Sequence, residues 1–154
     1  MSAVQVRTGD WAQWCEPARR VRTAVFIEEQ GIAAHDEWDD ADATAWHAVA
    51  LDAAGEAVGT ARLLVEAPGV ARIGRVAVLA AWRGRHVGVA LMRALCAEAQ
   101  DRGDHTVVLS AQCHAQGFYA REGFVAEGVP YDDAGIAHIT MRRALRDQMS
   151  VRKA

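Results

Sequence analysis

Apolar positions along the chain change period several times, and each change marks an element. Val4 and Val6 alternate with polar neighbours, the two-residue period of a short first strand. Asp10 is placed to cap a helix over Trp11 to Cys15. Pro17 suits the first turn of a second helix, whose face of Val21, Ala24 and Val25 opposes arginines and which ends near Gly31. The segment from His35 to Asp42 is acidic, carries Trp38, and reads as a loop too polar to bury. Trp46 to Leu51, Val58 to Val65 and Val70 to Leu79 read as strands, with turns at Ala54-Gly55 and Ala67-Pro68-Gly69. Connections this short imply an antiparallel meander.

Beyond Leu79 the period becomes helical, with Val87, Leu91 and Leu95 on one line and Ala90 and Ala94 beside them, closed by Gly103. Val107 to Leu109 reads as a buried strand and His114 to Glu122 as a short helix stopped by Gly123. Phe124 to Ala126 and Ile136 to Met141 read as the last strands, followed by an arginine-rich tail that frays. The order is strand, helices, meander, helix, strand, helix, two strands. It predicts a mixed α/β (α+β) fold in which helices flank one sheet, as a single domain over residues 1–154.

Composition narrows the function classes. The chain is 51% hydrophobic and 24% charged with a net charge of -3, which argues against nucleic acid as the partner. No apolar run approaches the roughly 20 residues that span a bilayer, and the first residues lack a basic-then-apolar leader. The three cysteines, Cys15, Cys96 and Cys113, are odd in number and lack ligand spacing, so neither a disulfide framework nor a metal site is expected, and the cytoplasm is the expected compartment.

The chemistry concentrates between Val76 and Met92, where a β-branched strand runs through a glycine- and arginine-bearing turn into a helix. Unpaired N–H groups and the positive end of the helix dipole make such a turn an anion site, and small residues let a phosphate approach the backbone.

Two motifs then carry a resemblance. Arg83-Gly84-Arg85-His86-Val87-Gly88 resembles the acetyl-CoA pyrophosphate loop of the GNAT superfamily of N-acetyltransferases. Gly117-Phe118-Tyr119-Ala120-Arg121-Glu122-Gly123-Phe124 resembles its second motif, an aromatic-Tyr pair followed by Gly-Phe. Val21 to Gly31, Glu37-x-Asp39-x-x-Asp42 with His47, Gly59 to Arg62, Ala111-Gln112 and Gly135 to His138 are similar to the ElaA-like branch, so the likeness covers residues 5–143. Two positions depart from the pattern. His86 stands where the superfamily has the first glycine of its loop, and Gly74-Arg75 stand where many members have a catalytic glutamate.

The resemblance implies a GNAT fold: a twisted, mostly antiparallel sheet with a splayed parallel strand pair. It implies an acetyl-CoA-dependent N-acetyltransferase acting directly on a primary amine of a small molecule. Val76, Ala77, Val78, Arg83, Gly84, Arg85, His86, Val87, Gly88, Val89, Gln112 and Phe118 would hold the cofactor, with backbone N–H near Val76 or Val78 serving the oxyanion. Tyr119 would be the general acid. Candidates for the base are His138, His47, Glu29 and Glu37, with His138 placed first because a histidine titrates near neutrality. Glu29, Glu37, Asp39 and Asp42 would line an acceptor pocket that attracts a cationic amine; the competing reading is a solvated charge run. Cys113 beside His114 does not make a nucleophile pair, since sequence neighbours rarely face each other and the superfamily transfers directly. The alternatives are a non-catalytic acyl-CoA-binding protein and an acetyltransferase of protein lysines or N-termini. An edge strand near the C-terminus would allow two copies to pair as a homodimer.

Overall fold

The computed structural model describes residues 4–146, so the end of the arginine-rich tail lies outside the described residues. The strands are β1 (Gln5–Gly9), β2 (Trp46–Leu51), β3 (Ala57–Ala67), β4 (Val70–Val78), β5 (Thr106–Gln112), β6 (Val125–Asp133) and β7 (Ile136–Ala144). They form one sheet in the order β1-β2-β3-β4-β5-β7-β6. Every neighbouring pair is antiparallel except β4 with β5. The helices are α1 (Trp11–Arg22), α2 (Ala34–Glu37), α3 (Val87–Asp101) and α4 (Gln116–Arg121). The expected order of elements and the expected fold both hold.

The parallel pair is short, running only from Val70 opposite Thr106 to Ile73 opposite Leu109. Past that point the strands part. Gly74 to Val78 stays with β3, whereas Ser110 to Gln112 stays with β7. A bulge in β4 lies at the parting: Arg62 opposes Gly74 and Thr60 opposes Ala77, which leaves an extra residue on β4, and Arg75 there has φ 52°. A bulge bends its strand, which turns the end of β4 away from β5.

The two faces of the sheet are covered unequally. On one, α3 buries Val87, Leu91 and Leu95 against Leu63, Ile73 and Leu109. On the other, a smaller cluster joins Val21, Val25 and Phe26 to Ala57 and Ala77. The helical layer on that face runs from α1 into a π-helical segment, Thr23–Glu29, so Pro17 does not begin a second helix. Pro17 lies inside α1, where its missing N–H forgoes the bond to the Gln13 carbonyl. The burial of Ala18 and Val21 and a capping box between Asp10 and Gln13 carry the helix through it.

The acidic segment also departs from expectation, because it is not a solvated loop. It folds as α2 and a 3-10 turn, Asp40–Ala43, with Glu37 and Asp42 only 2% and 3% exposed. Three arginines from distant parts of the chain make this burial tolerable. Arg22 reaches Glu37 and Asp42, both at 2.7 Å. Arg62 reaches Asp39 at 2.7 Å and Asp42 at 2.9 Å, and Arg75 reaches Glu37 at 3.1 Å and Asp39 at 3.3 Å. Each carboxylate therefore meets two guanidinium groups, and the buried charges cancel.

Candidate active site

The parting of β4 and β5 opens a cleft of about 1040 Å³. Its walls come from the π-helical segment, α2, β4, the loop before α3, the end of β5, α4 and the β6–β7 hairpin. Leu79 N–H donates to the Val58 carbonyl at 2.9 Å, and Ala77 lies opposite Thr60. Antiparallel alternation therefore turns the N–H and carbonyl of Val78 away from β3. The Val78 carbonyl accepts from Arg83 Nε at 3.0 Å, which leaves its N–H facing the opening. Val76 and Val78 both line the cleft, and Ala77 contributes its side chain to the smaller core cluster.

The loop between Trp82 and α3 presents a second set of donors. Gly84 (φ 78°) and His86 (φ 64°) are both left-handed, so the backbone coils tightly before the helix. Glycine adopts this conformation freely, whereas His86 bears the steric cost of its Cβ. No side chain caps α3, and its first turn holds no acidic residue. The first helical bond runs from Ala90 N–H to the His86 carbonyl, which leaves the N–H groups of Val87, Gly88 and Val89 without helical partners. A Cβ on Gly88 would come within 3.0 Å of the Phe118 ring, so a glycine here keeps α3 and α4 in close contact. Arg85 stacks over Trp82 at 4.9 Å, and Arg83 forms a two-pronged bond with Glu29, both prongs at 2.6 Å. These uncapped donors, flanking arginines and divided strands fit the pyrophosphate and thioester ends of an acyl-CoA.

Tyr119 is buried on α4 and lines the cleft. Its ring meets Phe118 and Phe124 edge-on at 5.0 and 6.2 Å, and its hydroxyl has no hydrogen-bond partner among the described residues. Burial pushes its pKa up to about 12. His138 lines the cleft from β7. Its Nδ1 lies 2.7 Å from the Ile136 carbonyl and must donate to it, which makes Nε2 the acceptor nitrogen. Tyr131 stacks on that ring at 6.1 Å and is hydrogen-bonded through its hydroxyl to Ser110.

The remaining expected residues are placed as follows. Gln112 and Gln30 exchange amide hydrogen bonds at 2.9 and 3.2 Å across the cleft, and the Gln112 carbonyl oxygen also meets His114 at 2.7 Å. Glu29 and Glu37 line the cleft; Asp39 and Asp42 lie behind it. Arg83 holds the Glu29 carboxyl below the usual range. Burial raises Glu37 against the pull of Arg75 and Arg22, while the Arg62 hydrogen bond holds Asp39 at about 2. His47 is away from the cleft, with Nε2 on the Asp42 carbonyl at 3.0 Å and its ring 4.6 Å from Trp11, and burial depresses its pKa. The expected acidic pocket is thus an arginine-neutralised wall. Sequence reasoning missed Ser110 and Tyr131, and it gave no role to Arg22 and Arg62, which lie within the likeness, or to Arg75, singled out only as a departure from the family pattern.

Comparison with known proteins agrees with this geometry. Residues 24–145 match the family described as an acetyltransferase (GNAT) domain. The chain is 34% identical over 124 residues to the uncharacterized N-acetyltransferase YjcF of Bacillus subtilis, a match covering 80% of this chain and 87% of that protein. Among solved structures it is similar to an acyl-CoA N-acyltransferase from Pseudomonas aeruginosa, with TM-score 0.80, 35% identity, and coverage of 92% of this chain and 100% of that one. It is also similar to Escherichia coli ElaA, with TM-score 0.81, 29% identity, and coverage of 92% and 99%. A cleft made by dividing a parallel strand pair, together with these relatives, places the chain in the GNAT acetyltransferase family as an acyltransferase that uses acyl-CoA.

Proposed function

We propose that the chain transfers an acetyl group from acetyl-CoA directly to a primary amine of a small molecule while both substrates are bound. The observation that carries this reading is the free N–H of Val78 in the opening between β4 and β5, beside the uncapped first turn of α3. When bound, acetyl-CoA supplies an acyl group activated as a thioester. The N–H groups of Val87, Gly88 and Val89 hold its pyrophosphate, with Arg83 and Arg85 flanking the loop and Gly84 and His86 shaping it. A backbone N–H at Val76 or Val78 would meet the thioester oxygen, and one such donor is worth about 3 kcal/mol of barrier. Phe118 and Gln112 bound the arm of the cofactor.

His138 takes the proton of the attacking amine at Nε2, the nitrogen its bond to Ile136 leaves as acceptor. Tyr119 donates from its unpartnered hydroxyl to the sulfur that leaves. The carboxylates of Glu29, Glu37, Asp39 and Asp42 shape the acceptor side through their arginine partners instead of offering uncompensated charge. The cysteines Cys15, Cys96 and Cys113 are free, which supports a reducing, cytoplasmic setting. The edge strand β6, with Val125 and Val129 exposed, is where a second copy would pair. The test is release of thiol from acetyl-CoA with spermidine, tyramine and a lysine-containing peptide, read together with the mass of each acceptor. Acetylation of the small amines is expected. Acetylation of the peptide alone would point to protein modification, and binding of acetyl-CoA without any turnover would point to a non-catalytic binder.

A further inference from the structure

We propose that Arg75 is the positioning residue of the acceptor side, clamping the segment from Asp36 to Asp39 as one wall of a subsite whose floor is Gly74. This rests on the reading of the cleft as an acyltransferase site. Four observations carry it. Arg75 is a non-glycine residue in left-handed conformation, φ 52°, on the bulge where β4 leaves β5; such a backbone is strained and persists only when its surroundings fix it. Its guanidinium is spent on one target, since it donates to the Glu37 carbonyl at 3.0 Å, the Asp36 carbonyl at 3.5 Å and the carboxylates of Glu37 and Asp39. Asp36, Glu37, Gly74 and Arg75 all line the cleft. Finally, a Cβ built on Gly74 meets nothing within 4 Å, so open space lies directly above that residue.

The bulge thus performs two tasks with adjacent residues. Gly74 leaves room where a side chain would otherwise project, and Arg75 holds Asp36 and Glu37, which line the cleft, against β4. Arg22 and Arg62 share the neutralisation of Glu37, Asp39 and Asp42 with Arg75, and Arg75 adds bonds to the backbone carbonyls of Asp36 and Glu37. Its contribution is to dock the segment against β4. A subsite built this way selects an amine by breadth, and suits a primary amine carried on a bulky body such as an aryl ring.

Arg75→Ala and Gly74→Leu test this separately. In Arg75→Ala, amide hydrogen exchange over residues 36–43 should quicken by about tenfold while residues 87–101 stay unchanged, a readout that needs no substrate. With tyramine as acceptor, its KM should rise about fivefold while kcat and the KM for acetyl-CoA hold. Gly74→Leu should depress tyramine acetylation more than that of ethanolamine, with acetyl-CoA binding unaltered. Unchanged exchange in Arg75→Ala, or equal losses for both amines in Gly74→Leu, would overturn the proposal. Failure of the wild-type protein to bind acetyl-CoA would instead overturn the acyltransferase reading, and exchange alone would then decide what Arg75 holds.

Discussion

Removing one oxygen atom from Tyr119 tests the chemistry with little structural disturbance. The hydroxyl has no partner among the described residues, and the ring is held by edge contacts with Phe118 and Phe124 that phenylalanine keeps. Stability should therefore change by less than about 1 kcal/mol. The expected catalytic loss follows from the environment. Burial places the phenol at about 12, well above a thiol's ordinary value of about 8.5. A phenol held above a thiol's ordinary range keeps its proton against a departing thiolate. In the proposed mechanism Tyr119 accordingly acts as a hydrogen-bond donor to the departing charge. A hydrogen bond to a charged group is worth about 1.5–3 kcal/mol, which corresponds to a loss in kcat of roughly 10- to 150-fold. The assay is thiol release at saturating acetyl-CoA and amine, with acetyl-CoA affinity measured independently. The sign of the pH effect also follows. A raised pKa in the folded state keeps the hydroxyl protonated and its stabilising contribution intact below the unfolded value of 10.0, and that contribution is lost as pH rises through about 12. Tyr119 should therefore add no limb to the rate profile below about pH 10. Turnover by Tyr119→Phe within twofold of wild type would refute the role.

Other consequences follow from the same geometry. His138→Gln should lower kcat by about 100-fold with acetyl-CoA affinity unchanged, measured by the same thiol assay; full activity would move the base elsewhere. Arg22 is 1% exposed and bonds both Glu37 and Asp42, so Arg22→Met should destabilise the fold by about 3 kcal/mol in denaturant titration. The lowered pKa of Asp39, from 3.8 to about 2, contributes stability that is present above the unfolded value and lost as pH falls through the folded one. Arg62→Met, which removes the main cause of that depression, should move the acid-unfolding midpoint upward, and circular dichroism against pH would register it.

The elements legible in the sequence are those with strong local signals. The meander of β2, β3 and β4, the helix after Leu79 and the closing turn at Gly103 follow from alternation, periodicity and left-handed glycine, and all stand where expected. The turn before α3, proposed to hold the pyrophosphate, was visible because a contiguous stretch sets its left-handed backbone and uncapped helix start. Pro17 misled because burial of Ala18 and Val21 outweighs one lost helical bond, and packing of that kind leaves no local trace. The acidic segment misled for a similar reason. Its charges look solvated until Arg22, Arg62 and Arg75 are brought onto them from 15 to 38 residues away. The surroundings of His138, the proposed base, include Tyr131 stacked on its ring and bonded to Ser110, which sheet pairing delivers and no motif announces.

The most direct test of the central claim is thermal unfolding with acetyl-CoA and, separately, with ATP. A ligand at a hundred times its dissociation constant stabilises the native state by about 2.7 kcal/mol, roughly an 8 °C rise in Tm for a chain of this length. The account predicts that rise with acetyl-CoA and a much smaller one with ATP, because only the former fills both the loop at α3 and the opening between β4 and β5. No shift at millimolar acetyl-CoA, or an equal shift with ATP, would contradict it.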